Sequence, residues 1–252
     1  MAQDRDESSG AVPAASIRNR LSDVHRRIQD AAIKVSRDPN SIRLIAVSKT
    51  LPAAAIREAY AAGQRDFGEN RVQEGLQKRD ECADLSITWH LLGHLQSNKA
   101  RKAAQGFTAI QSVDSRELLS KLDAAAGETG RALELLIQVD LAGESTKSGV
   151  PPAQVPDLFE AAVACRTVQV VGLMTLPPAA DVPEDARPWF RQLRILRGEW
   201  LAGGVPPRML RELSMGMSGD FEVAVEEGAT MVRVGSAIFG RRPVYQRAPA
   251  MP

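Results

Sequence analysis

Between residues 43 and 234 the chain alternates short apolar runs with amphipathic stretches, and no other feature constrains its fold so strongly. Runs suited to strands fall at 43–48, 66–68, 87–92, 107–112, 133–139, 168–173, 210–214 and 230–234. Helix-like stretches at 52–62, 70–82, 97–105, 115–126, 152–164, 185–201 and 219–227 separate them. Ahead of the first strand, Ile17, Leu21, Val24, Ile28 and Ala31/Ala32 return on one face and predict a further helix over 16–36. Pro52 suits a first helical turn, and Asp114-Ser115 can cap the helix carrying Leu118, Leu119 and Leu122. Gly63, Gly127 and Gly228 fall where helices should stop. Eight strand–helix units in one chain predict α/β architecture, a single TIM-type (β/α)8 barrel over 16–244. A doubly wound open sheet is the rival, but no Gly-rich dinucleotide turn follows the first strand. Residues 1–15 read as a disordered leader and 245–252 as a flexible tail.

Composition narrows the function classes. The 252 residues are a routine length for such a barrel, and 44% hydrophobic with 25% charged residues permits a full core. Lys plus Arg is 32 against 31 for Asp plus Glu, which argues against a broad nucleic-acid-binding face. Cys82 and Cys165 sit far apart in no metal-ligand spacing, pointing to a reducing compartment. The polar N-terminus lacks a signal-peptide core and no apolar run reaches membrane-spanning length. A cytoplasmic protein is the expectation.

Barrel chemistry belongs at the C-terminal ends of strands. The apolar run "LIAVSKT" delivers Lys49 to such an end, in strand parity with Ile45 and Val47, so Lys49 is expected to enter the barrel mouth. After the last two strands, "MGMSGD" and "RVGSA" each pass through glycine and serine into a helix start. Small residues and free helix-start amides there suit a phosphate. Arg233 lies inside the last apolar strand, where a buried charge needs a partner, either a carboxylate such as Glu212 or Asp140, or a ligand. His90 and His94 are four apart, but on a strand and without an HExxH glutamate, so no metal site is expected. No G-x-S-x-G elbow supports a serine hydrolase. A strand-end lysine, a phosphate cradle and an arginine between them suit a phosphorylated aldehyde held on an amine, and pyridoxal phosphate is the obvious candidate.

The blocks "AVSKT", "FGENRVQE", "WHLLGHLQSNK", "GESTKSG", "GLMTLPP" and "LSMGMSGDFEVAVEEGATMVRVGSAIFG" run in order from Leu44 to Gly240. Together they resemble the YggS/PROSC pyridoxal phosphate homeostasis family. The resemblance implies a barrel similar to the N-terminal domain of alanine racemase, pyridoxal 5′-phosphate as cofactor, and a monomer. It implies a Schiff base on Lys49, phosphate contacts from Ser218, Gly235 and Ser236, and Arg233 facing the pyridine nitrogen. Asn70, His90 and Met174 would line the cofactor pocket. Asp140 stands where an asparagine is expected, and could approach the pocket or pair with Lys147. The implied function is intracellular vitamin B6 homeostasis, supplying apo-enzymes, without turnover. The alternative is a pyridoxal-dependent racemase or decarboxylase on the same fold. That reading needs a second domain and an acid/base tyrosine, for which Tyr60 and Tyr245 are poorly placed.

Overall fold

The computed structural model describes residues 16–143 and 148–240 and shows eight parallel strands closed into one barrel in the order of the sequence. The strands are β1 (Arg43–Val47), β2 (Asp66–Glu69), β3 (Thr88–Leu91), β4 (Ala109–Val113), β5 (Leu133–Gln138), β6 (Val168–Met174), β7 (Glu212–Ser214) and β8 (Met231–Val234). Pairing of Ile45 with Arg233 and of Leu44 with Val232 joins β8 back to β1. The leader, the tail with Tyr245, and Lys147 lie outside the described residues.

Helices alternate with the strands: α1 (Ile17–Lys34), α2 (Ala53–Ala61), α3 (Val72–Glu81), α4 (Ala100–Gly106), α5 (Arg116–Thr129), α6 (Val155–Val163), α7 (Arg187–Ala202), α8 (Phe221–Glu226) and a short α9 (Ser236–Phe239). The starts and stops follow local chemistry, with two departures from the sequence expectation, at Pro52 and at Gly127. Pro52 stands at the N-cap of α2, just outside its first turn. Of the Asp114-Ser115 pair expected to cap α5, Ser115 does so by accepting from the Leu118 amide at 3.2 Å. The helix also runs through Gly127 and stops at Gly130, whose φ of 63° lies in the left-handed region. The seventh strand begins at Glu212, two residues later than the sequence expectation, because the Leu210 amide still closes the 3-10 turn at Pro207–Met209 by donating to the Pro207 carbonyl at 3.1 Å.

Alternation along each strand divides the core in two. Leu44, Ala46, Phe67, Trp89 and Leu91 point outward against the helices, joining residues such as Ile56 and Phe107. Ile45, Val47, Leu92, Leu136, Val171, Met174 and Met231 fill the barrel itself. Burying a side chain such as Ile45, fully enclosed, contributes roughly 1.5–3 kcal/mol.

The interior also carries a polar chain. His90 Nε2 lies 3.0 Å from Asp66 Oδ1, and Gln111 Nε2 lies 3.2 Å from His90 Nδ1. Ser214 Oγ donates to Gln111 Oε1 at 2.6 Å, and Arg233 Nη1 donates to Ser214 Oγ at 2.7 Å. With Asp66 accepting from Nε2–H, Nδ1 of a neutral His90 is left to accept from the Gln111 amide, so every link has a donor and an acceptor.

Candidate functional site at the barrel mouth

Chain segments leaving six of the strands line a cavity of ≈ 610 Å³. Its walls are Val47, Lys49, Asn70, Leu92, Leu176, Met217, Ser218, Gly219, Arg233, Gly235 and Ser236. That size and mixture suit a small molecule held by a few polar groups on an apolar wall.

Lys49 stands two residues beyond β1, on the face shared by Ile45 and Val47 in the barrel interior. Asn70 follows β2 directly. A Cβ on Gly93 would overlap the Asn70 carbonyl oxygen and come within 3.0 Å of the Asn70 Cα, so only glycine lets the two strand exits approach.

On the opposite side, Gly216 turns the chain out of β7 with φ 92°. The Met217 amide donates to Asp220 Oδ1 at 2.5 Å, closing the loop that presents Ser218. Ser218 Oγ accepts from the amides of Gly235 and Ala237 at 3.1 and 3.4 Å. These amides and the hydroxyl therefore converge where β8 passes into α9, and a Cβ on Gly235 would press the Val47 carbonyl at 3.2 Å. An anion with several acceptor oxygens fits such a donor set.

Arg233 reaches the cavity from within the wall. Its partners are neutral: Ser214 Oγ and, at 2.9 Å from Nη2, the Thr175 carbonyl. Neither Glu212 nor Asp140 is its partner, contrary to the carboxylate reading; Glu212 instead accepts from the Thr230 hydroxyl at 2.6 Å. Burial pushes the guanidinium down to about 10, opposed by the charge of Asp220, so Arg233 stays cationic at neutral pH. Burial raises the Asp220 carboxyl, opposed by the Met217 amide and Arg233.

Of the residues singled out in the sequence, Lys49, Asn70, Ser218, Arg233, Gly235 and Ser236 share this cavity. His90 and Met174 do not line it. Each lies one same-face step deeper along its strand, and Leu92 and Leu176, two residues further on, take the wall positions. Asp140 also stays out, since its Oδ1 caps its own turn by accepting from the amides of Ala142 and Gly143. His94 pairs with Asp114 at 3.2 Å, and no cluster of three potential metal ligands occurs among the described residues. No helix among them is long and apolar enough to cross a membrane. Sequence reasoning missed Leu92, Leu176 and Met217, although the first two could have been found by extending strand parity past each strand end.

Fold and site together define a barrel of the alanine racemase N-terminal type, and the family model of that description, "Alanine racemase, N-terminal domain", matches residues 21–243. A relative from Aquifex aeolicus named pyridoxal phosphate homeostasis protein is 44% identical over 223 residues, 88% of this chain and 97% of that one. The chain belongs to the pyridoxal phosphate homeostasis protein family. The solved structure of PipY from Synechococcus elongatus with PLP bound is 47% identical, with a TM-score of 0.77 over 89% of this chain and 100% of that one. An alanine racemase from Clostridium difficile, 17% identical, shares the fold alone, with a TM-score of 0.69 over 90% of this chain and 57% of that one.

Proposed function

We propose that this protein binds pyridoxal 5′-phosphate at the barrel mouth and serves in its intracellular homeostasis. The observation that carries the reading is the convergence of an amine, a guanidinium and an anion cradle on one ≈ 610 Å³ cavity. Ser218, Gly235 and Ser236 would hold the phosphate, Arg233 would face the pyridine nitrogen, and Asn70 would stand beside the ring. His90 and Met174 would support the site from beneath. Lys49 would condense with the aldehyde, forming C=N and releasing water, which requires the neutral amine. When bound, the cofactor supplies that aldehyde and an electron-accepting ring. Relatives named for pyridoxal phosphate homeostasis, and one solved with PLP bound, support this reading.

The alternative is a racemase or decarboxylase. An arginine that stays cationic at neutral pH would, facing the ring nitrogen, oppose its protonation and weaken the ring as an electron sink. Tyr60 is held away from the cavity, with its hydroxyl accepting from the Ser86 amide at 3.3 Å and Arg65 stacked 3.9 Å from its ring centroid. Both observations favour the homeostasis reading, which we take to comprise binding without turnover in a cytoplasmic monomer that exchanges the cofactor with apo-enzymes.

Borohydride treatment of the protein loaded with pyridoxal phosphate, followed by peptide mapping, should label Lys49, and Lys49→Ala should abolish the adduct. Labelling of another lysine with Lys49 unmodified would overturn the site. Incubation with single amino acids in heavy water separates the functions. Deuterium entering one of them at on the order of 1 s⁻¹ or faster restores the enzyme reading.

A further inference from the structure

The backbone on both sides of Lys49 is held by a cluster of two buried residues, Glu69 and Lys78, and the half-buried Glu74, none of which lines the cavity. On its N-terminal side the Ser48 carbonyl accepts from Lys78 Nζ at 2.7 Å. On its C-terminal side the Thr50 amide donates to Glu74 Oε1. Lys78 Nζ bridges the two anchors, lying 2.6 Å from Glu74 Oε1 and 2.8 Å from Glu69 Oε1. Ser48 Oγ closes the ring by donating to Glu69 Oε1 at 2.6 Å.

Two features tie this cluster to the turn at Lys49. Thr50 sits at φ 65°, a left-handed conformation that a β-branched residue adopts only when something outside it insists. The Glu74 carboxylate, reached by the Thr50 amide, is that constraint. The second feature is an expense that a simple stabilising ion pair would avoid. Glu69 is fully buried, its Oε2 has no hydrogen-bond partner, and apolar residues of similar volume often serve a core as well as a buried ion pair. Burial raises the Glu69 carboxyl despite Lys78 and Ser48. Burial would raise Glu74 too, but Lys78 and the Thr50 amide outweigh it and hold that carboxyl low.

We propose that Glu69, Glu74 and Lys78 are positioning residues for Lys49, fixing the Ser48–Thr50 turn so that the amine enters the cavity from one direction. None of the three lines the cavity, and the hydrogen bonds of Lys78 and Glu74 reach the backbone on either side of Lys49. This inference rests on the reading of Lys49 as the amine that condenses with the aldehyde.

The test compares pyridoxal phosphate with pyridoxine phosphate, which has the same ring and phosphate but no aldehyde. Glu74→Ala and Lys78→Met should each weaken pyridoxal phosphate about ten-fold, about 1.4 kcal/mol, and change pyridoxine phosphate by less than about two-fold. Adding Thr50→Gly to Glu74→Ala should restore pyridoxal phosphate to within roughly three-fold of the wild type, because glycine adopts φ 65° without an external hold. Equal weakening of both ligands, unchanged pyridoxal phosphate affinity in Glu74→Ala, or no rescue by Thr50→Gly would each overturn the proposal. Circular dichroism checks the fold of each variant; should Lys78→Met unfold, the partly exposed Glu74 decides alone. A wild type that binds the two ligands equally would instead overturn the role of Lys49 itself.

Discussion

Arg233 donates through Nη1 to Ser214 Oγ at 2.7 Å, and that same hydroxyl donates to Gln111 Oε1 at 2.6 Å. The serine thus serves as acceptor and donor at once, linking the cation at the cavity to the hydrogen-bonded chain that ends at Asp66. Ser214→Ala should leave two buried groups short of a partner and lower unfolding free energy by about 1–3 kcal/mol. Urea denaturation measures this. Unchanged stability would mean that the Arg233 side chain has other means of satisfaction.

The phosphate proposal makes a ligand-specific prediction. Loss of a hydrogen bond to a charged group costs about 1.5–3 kcal/mol, roughly ten- to hundred-fold in affinity. Replacing Ser218 and Ser236 together by alanine should therefore weaken pyridoxal phosphate by at least that range while barely affecting pyridoxal. Equal losses for both ligands would place the phosphate elsewhere.

Gly93 tests the packing beneath Asn70. An added methyl group meets backbone, which cannot swing aside as a side-chain tip can. Gly93→Ala should cost about 1–3 kcal/mol of stability through overpacking and weaken ligand binding by displacing Asn70. Full affinity with native stability in the variant would show that the two strand exits can separate freely.

Asp123 carries a pH-dependent contribution. Its Oδ1 accepts from the amides of Arg166, Thr167 and Val168 at 3.1, 2.8 and 3.1 Å, tying α5 to the start of β6. Burial would raise this carboxyl, but those amides outweigh it and hold it below its ordinary 3.8. A depressed value means stability fully present above the unfolded-state value and lost as pH falls through the folded one. Asp123→Ala should thus be less stable than the wild type near pH 7, and the gap should close below about pH 4. Thermal melts across this range check it, and a constant gap would discount the carboxylate.

Strand number, parallel order and the placing of Lys49 were legible because they rest on local rules. A short apolar run marks each strand, a serine caps the start of α5, and parity carries Lys49 toward the barrel interior. The glycine–serine turns after the last two strands were legible for the same reason. Gly127 misled because a glycine inside a helix looks, in sequence, like one just beyond it, and only the left-handed φ at Gly130 marks the stop.

What the sequence left open depends on closure of the barrel. The partner of Arg233 is Ser214, and behind it stands Gln111, 103 residues away in the chain. No local pattern favours that pair over a carboxylate such as Glu212. The depth of His90 and Met174 depends on strand register, which slips between β4 and β5 and again between β5 and β6. The ring of Ser48, Glu69, Glu74 and Lys78 likewise forms only when α3 lies beside the end of β1. Local periodicity chose the barrel and sent a lysine to its mouth. Which side chains lie at the cavity surface, and which hold them from behind, was decided by stagger between strands, because that stagger sets the height of every inward residue.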